Sequence, residues 1–87
     1  MASAQMQERV LILLKAISSA EASGRVITSS EIANTLAGMG QAHLLNSVRE
    51  RLLANARRAG LIESRAGIWS LTNAGRAALL SGHVELP

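Results

Sequence analysis

Arginine is the residue type in this chain best suited to bind a ligand. Eight of the nine basic residues are arginine, and the planar guanidinium makes bidentate contacts with phosphate and guanine. Residues 44–80 contain six arginines against two glutamates, a net charge of +4, whereas residues 1–43 sum to zero. Positive charge concentrated in one half of a small domain predicts a polyanionic partner. The alternative is an ordinary basic helix that faces solvent.

Most of these arginines lie on one predicted helix, which starts near Ala42 and ends at Gly60. At 100° per residue, its apolar positions fall within about an 80° arc that we expect to face the core; they are Leu45, Val48, Leu52, Ala56 and Ala59. The opposite side is polar, and Arg49 falls nearer the edge of the core. The polar side presents His43, Asn46, Ser47, Glu50, Ala54 and Arg57, with Arg51 and Arg58 on one flank.

The polar side of this helix predicts a surface that reads DNA. Its first half usually meets base edges; asparagine pairs with adenine there, and a glutamate accepts from cytosine N4. The arginines suit phosphate, and an arginine in a hairpin turn suits the minor groove or a phosphate. We therefore expect DNA contacts from Gln41, His43, Asn46, Ser47, Glu50, Arg51, Arg57, Arg58 and Arg65.

Three of these residues also have a plainer interpretation. Glu50 would pair with an arginine one turn away, His43 would be a capping or surface residue, and Arg65 would only keep a turn soluble. Trp69 alternates with Leu71 and is expected to pack the hairpin against the helices. Stacking on an extruded or methylated base is its alternative role.

Catalysis by this chain is not expected. The chain contains no Asp and no Cys, its two histidines are far apart and its only lysine is Lys15, so we expect no catalytic centre, metal site or cofactor. The lack of Cys excludes disulfides and favours a cytoplasmic setting. The longest apolar run, Val10 to Leu14, is far shorter than the roughly 20 residues of a membrane span.

The elements that position these residues follow from periodicity and turn chemistry. A first helix over residues 4–20 ends near Gly24, and residues 25–28 form a short bridging strand. A Thr28–Glu31 capping box starts a second helix that stops at Gly38. After the arginine helix, strands at 61–64 and 68–71 flank a 65–67 loop.

Thr72 then caps a last helix with Ala78, Leu79 and Leu80 in apolar contacts. The predicted order is helix, strand, helix, helix, strand, wing, strand, helix. This is a mainly α fold with a small β-hairpin, a winged helix-turn-helix. Residues 1–82 form one domain, and 83–87 form a tail or a shortened linker.

Two segments of the chain carry a family resemblance. Residues 57–63 (RRAGLIE) and 68–76 (IWSLTNAGR) resemble the N-terminal winged-helix domain of Mrr-type restriction proteins, where a pattern close to KKAGLLE…GxWxLTxxGR precedes a nuclease domain. The likeness is closest over residues 48–80, about a third of the chain. Its Leu-Thr-x-x-Gly part is shared by many winged-helix transcription regulators.

The resemblance implies a partner and a role. It implies binding to double-stranded DNA, methylated DNA included, beside a nuclease domain or subunit of a restriction-type system. A small transcription regulator is the first alternative; its first or last helix would form a homodimer that reads a palindrome. A winged-helix domain that binds another protein is the second, because a fold alone does not fix function.

Overall fold

The computed structural model describes residues 4–41 and 47–86, and within them the chain is mainly helical with one two-stranded antiparallel sheet. This confirms the predicted fold class at that level. None of the described helices is long and apolar enough to cross a membrane. In chain order the elements are α1 (Ala4–Ala22), α2 (Ser29–Gly38), α3 (Ser47–Arg58), β1 (Ile62–Arg65), β2 (Ile68–Leu71) and α4 (Asn73–Ser81).

Helix α1 is the central element of the fold. It contacts α2, α3, β2 and α4. Its predicted apolar stripe is confirmed, since Val10, Leu13, Leu14 and Ile17 are fully buried and Met6 is partly buried. Alanines of the same helix are also buried, and their small side chains let the neighbouring elements approach closely.

Helix α2 begins at the predicted cap, but only half of the expected capping box forms. The Thr28 side chain accepts a hydrogen bond from the Glu31 amide at 3.2 Å. The predicted return bond from Glu31 to the Thr28 amide is wrong: the Glu31 carboxylate pairs with Arg25 at 2.7 Å. The Thr28 amide donates instead to the Val26 carbonyl at 3.2 Å.

The predicted bridging strand at 25–28 is absent among the described strands. The segment makes one ladder-like bond, from the Trp69 amide to the Ile27 carbonyl at 2.8 Å. Within the described part of the chain, no second bond of this kind is formed by residues 25–28, and Thr28 caps α2. Ile27 is nevertheless buried in the core.

The hairpin is tighter than the sequence predicts. Residue pairing runs from Ile62 opposite Leu71 to Arg65 opposite Ile68, so the turn has two residues. Ala66 (φ 52°) and Gly67 (φ 78°) both have left-handed backbones, the combination of a type I′ turn. The predicted 61–64 strand and 65–67 loop are therefore wrong by one residue, and Arg65 ends β1.

A clamp formed by the Leu-Thr-x-x-Gly motif joins α4 to the end of α3. The Thr72 hydroxyl accepts from the Gly75 amide at 3.1 Å and donates to the Gly60 carbonyl. The Thr72 amide donates to the Leu61 carbonyl at 3.1 Å. Gly75 lies so close to that carbonyl that a side chain at this position would overlap it. The predicted cap at Thr72 is confirmed.

The end of the described chain differs from the expectation in two places. The sequence predicts apolar contacts for Leu80, but this residue is 90% exposed. It lies on the side of α4 that faces away from the core, whereas Ala78 is buried and Leu79 is partly buried. Val84 is only 3% exposed and belongs to the core cluster. Packing therefore continues past residue 82.

Candidate nucleic-acid interface

The exposed side of α3 is the centre of the candidate interface. Glu50, Arg51, Ala54, Arg57 and Arg58 are exposed and fall within an arc of about 120°. On the opposite side Leu52 and Ala56 are fully buried. The predicted orientation of α3 is therefore confirmed for residues 50–58.

Sequence reasoning missed one buried residue of this helix. Leu53 is 7% exposed, although it lies about 100° from Leu52 around the helix. The buried face is therefore wider than the narrow predicted arc. An uninterrupted Leu-Leu pair was the signal that could have revealed it, because α3 is held by both α1 and β1.

Gln41, the first candidate contact residue in chain order, lies directly after α2 and is half-buried. Its backbone amide donates a hydrogen bond to the Leu36 carbonyl at 2.8 Å. Together with the bond from the Gly40 amide to the Ala37 carbonyl, this makes a Schellman end to α2. Gln41 is therefore anchored to the end of α2.

The next candidates fall in a stretch that the description does not fully cover. His43, Asn46 and the predicted helix start near Ala42 lie outside the described residues, as does Leu45. Ser47 is the first described residue of α3, and the description of residues 47–49 covers their backbone only.

Four exposed arginines of the candidate interface keep their charge free within the described part of the chain. Arg51, Arg57, Arg58 and Arg65 make no ion pair there. Glu50 is also unpaired, and the residue one helical turn after it is the uncharged Ala54. The alternative pair between Glu50 and an arginine therefore does not form among these residues.

Two arginines elsewhere are neutralised by carboxylates. Arg25 pairs with Glu31 at 2.7 Å, and Arg76 pairs with Glu21 at 2.8 Å. Arg9 and Lys15 on α1 are unpaired within the described residues and add to the positive field. The uncompensated arginine charge is therefore concentrated on α3 and the hairpin, with a smaller contribution from α1.

The hairpin has two different faces. Ile62 and Leu71 are buried and Trp69 is partly buried against the core, which confirms that the tryptophan packs inward. The other face carries Glu63, Arg65, Ile68 and Ser70, placed there by strand alternation and by the register. Ile68 is 46% exposed, a feature that the sequence interpretation did not single out.

The arginines of α3 and of the hairpin lie on neighbouring elements. Arg51 and Arg58 are about 10 Å apart along α3 at 1.5 Å per residue. Only three residues separate α3 from β1, and the two elements contact each other. Arg65 is therefore carried by a hairpin that packs beside the arginine-bearing helix.

The described residues contain no group of three or more His, Asp or Glu side chains able to hold a metal ion. A groove of about 380 Å³ lies between the end of α3, α4 and the following segment. Four of its eight lining residues are alanine (Ala59, Ala74, Ala77 and Ala78), and His83 and Glu85 are among the others.

Comparison of the chain with protein-family models, curated proteins and solved structures gives no match. The functional interpretation therefore depends on the residues and geometry described above.

Proposed function

We propose that this chain binds double-stranded DNA as a winged helix-turn-helix module. Helix α2, the Schellman turn after it and α3 supply the helix-turn-helix part, and β1 and β2 supply the wing. The observation that carries the proposal is the set of four exposed, unpaired arginines on α3 and the hairpin. Arginine in this state binds phosphate without first breaking an intramolecular ion pair.

In the proposed complex α3 lies in the major groove. Its exposed side places Glu50 toward base edges, while Arg51, Arg57 and Arg58 neutralise phosphates along the groove. Asn46, Ser47 and His43 precede them in the sequence and are proposed to read bases or backbone. Arg65 contacts the neighbouring minor groove or a phosphate from the wing.

The Mrr-type resemblance adds a cellular role to this proposal. On that resemblance we propose that the domain acts beside a nuclease in a restriction-type system, with methylated DNA as a candidate target. This part depends on residues 57–63 and 68–76 alone. A duplex with one methylated adenine, one with methylated cytosine and one without modification would distinguish a modification sensor from a general DNA anchor.

The proposal is tested by removing charge from α3 while leaving the fold unchanged. The double variant Arg57→Gln/Arg58→Gln removes two exposed guanidinium groups that make no ion pair. We expect it to weaken duplex binding and to lower the slope of log K against log salt by about 1.8, about 0.9 for each lost phosphate contact.

Lys15→Gln is the matched control, because it removes one exposed, unpaired positive charge from α1. We expect its slope to equal that of the original chain. If the double variant and the control give the same binding curve as the original chain, α3 is not the DNA-binding element.

A second candidate function is a small dimeric transcription regulator. The observation that favours it is the 90% exposed Leu80 on α4, because apolar side chains on a terminal helix suit a contact with a second copy. Sedimentation of the chain with and without duplex distinguishes the two: a stable free dimer favours the regulator, and a monomer favours an appended module.

A further inference from the structure

The tip of the hairpin pairs a cation with an apolar side chain. Arg65 and Ile68 lie directly opposite each other and close the two-residue turn. Directly opposed residues have Cβ atoms about 5 Å apart on the same face of the sheet. Arg65 is exposed and unpaired within the described residues, and Ile68 is 46% exposed.

Within the hairpin, only the two turn residues lie beyond these two side chains. Ala66 and Gly67 form the turn itself, and they contribute only a methyl group and a hydrogen atom. The tip therefore presents one long cationic side chain and one branched apolar side chain as its outermost large groups.

The dimensions of B-DNA decide how such a tip can dock. The minor groove is about 6 Å wide, and two strands about 4.8 Å apart with their side chains are wider than that. The hairpin backbone cannot enter the groove, but one extended arginine can, and narrow A·T-rich grooves attract it most strongly. Ile68, which lies opposite Arg65 on the neighbouring strand, is then at the rim of the minor groove, against its deoxyribose wall.

We infer that Ile68 is a DNA-contacting residue that packs on the sugar wall of the minor groove while Arg65 occupies the groove. This inference rests on the proposed DNA binding and adds a contact of a different kind. Arg65 acts through charge, so its contribution falls with salt. Ile68 acts through burial of apolar surface, so its contribution does not depend on counterion release.

The experiment is a fluorescence anisotropy titration of an A·T-rich duplex over a salt series, with Ile68→Thr, Ile68→Val, Arg65→Gln and the original chain. Threonine keeps the β-branched shape and strand preference of isoleucine. We expect Ile68→Thr to bind about fivefold more weakly, the ratio that partial burial of one aliphatic side chain supports, with an unchanged salt slope. Ile68→Val should bind within about twofold of the original chain, because it loses a single methylene.

Arg65→Gln separates the two contributions. It should weaken binding and lower the salt slope by about 0.9. Val26→Thr is the matched control, since Val26 is an exposed β-branched apolar residue outside the hairpin and α3, and it should change neither quantity. Urea unfolding of each variant, followed by Trp69 fluorescence, verifies that the folded fraction is equal.

The outcomes distinguish this inference from the proposed function. Unchanged affinity of Ile68→Thr beside a weakened Arg65→Gln would overturn the Ile68 contact and leave DNA binding standing. A reduced salt slope in Ile68→Thr would also overturn it, because the substitution would then have acted through displaced charge. Failure of the original chain to bind any duplex would overturn both.

Discussion

At position 75 helix propensity favours alanine over glycine, whereas packing against Leu61 favours glycine. The Gly75→Ala substitution measures which effect is larger. Gly75 lies in the first turn of α4, where alanine would ordinarily gain up to about 1 kcal/mol over glycine. A Cβ atom there would stand 3.1 Å from the Leu61 carbonyl carbon and nearer still to its oxygen, closer than real Cβ atoms approach. The obstacle is backbone, so it cannot rotate away as a side chain would.

We therefore expect Gly75→Ala to destabilise the fold. Overpacking costs about 1–3 kcal/mol, and a rigid backbone obstacle puts this case near about 3 kcal/mol. Subtracting the gain in propensity leaves a loss of about 2 kcal/mol. In a domain of this size that lowers the melting temperature by about 8–16 °C.

The assay is urea unfolding followed by Trp69 fluorescence, since Trp69 is the only tryptophan and is partly buried against the core. Gly38→Ala is the matched control: Gly38 is the last residue of α2, and a Cβ there would meet nothing within 4 Å. It should be as stable as the original chain or more stable by up to about 1 kcal/mol. An unfolding midpoint of Gly75→Ala at or above that of the original chain would refute the close approach of α4 to Leu61.

Three further substitutions test other parts of the fold by the same unfolding assay. Thr72→Val removes a hydroxyl that accepts from Gly75 and donates to Gly60, and should cost about 1–2 kcal/mol; Thr72→Ser keeps both bonds and should cost less, and equal losses would contradict the clamp. Val84→Ala removes two buried methyl groups and should cost about 1.5 kcal/mol; no loss would mean that packing ends before residue 83. Ala66→Asn places a residue that tolerates left-handed backbone where φ is 52°, and should add about 0.5–1 kcal/mol; a decrease would contradict the type I′ turn.

The helices were predictable because each carries its signal within a few consecutive residues. The apolar stripe of α1 and the caps at Thr28 and Thr72 depend on local spacing and on short-range hydrogen bonds. The structure therefore agrees with the sequence on which elements are helical and on the orientation of α3.

The errors occur where the outcome depends on partners outside a single helix or strand. The Glu31 carboxylate was expected to bond to the Thr28 amide, but Arg25 takes it. The one-residue shift of the hairpin also depends on pairing across the turn, which local composition does not fix. Which arginines are free follows from the same kind of tertiary contact, because the Arg76–Glu21 pair joins α4 to α1.

The role of Gly75 could be located but not explained from the sequence. Its place in Leu-Thr-x-x-Gly was recognised through the resemblance, yet a glycine in a helix looks unfavourable by propensity alone. The reason lies in the Leu61 carbonyl, 14 residues earlier in the chain. Such an approach becomes visible only when the two backbones are placed together.

The measurement that tests DNA binding most directly is a titration of the original chain with unmodified, adenine-methylated and cytosine-methylated duplexes between about 50 and 200 mM salt. Four arginines in contact with DNA, Arg51, Arg57 and Arg58 on phosphates and Arg65 in the minor groove, each release about one phosphate's counterions and predict a slope of log K against log salt of about −3.6. We expect binding at low salt with a slope close to that value, whichever duplex binds most tightly. Absence of binding at low salt, or binding that does not change with salt, would contradict the account.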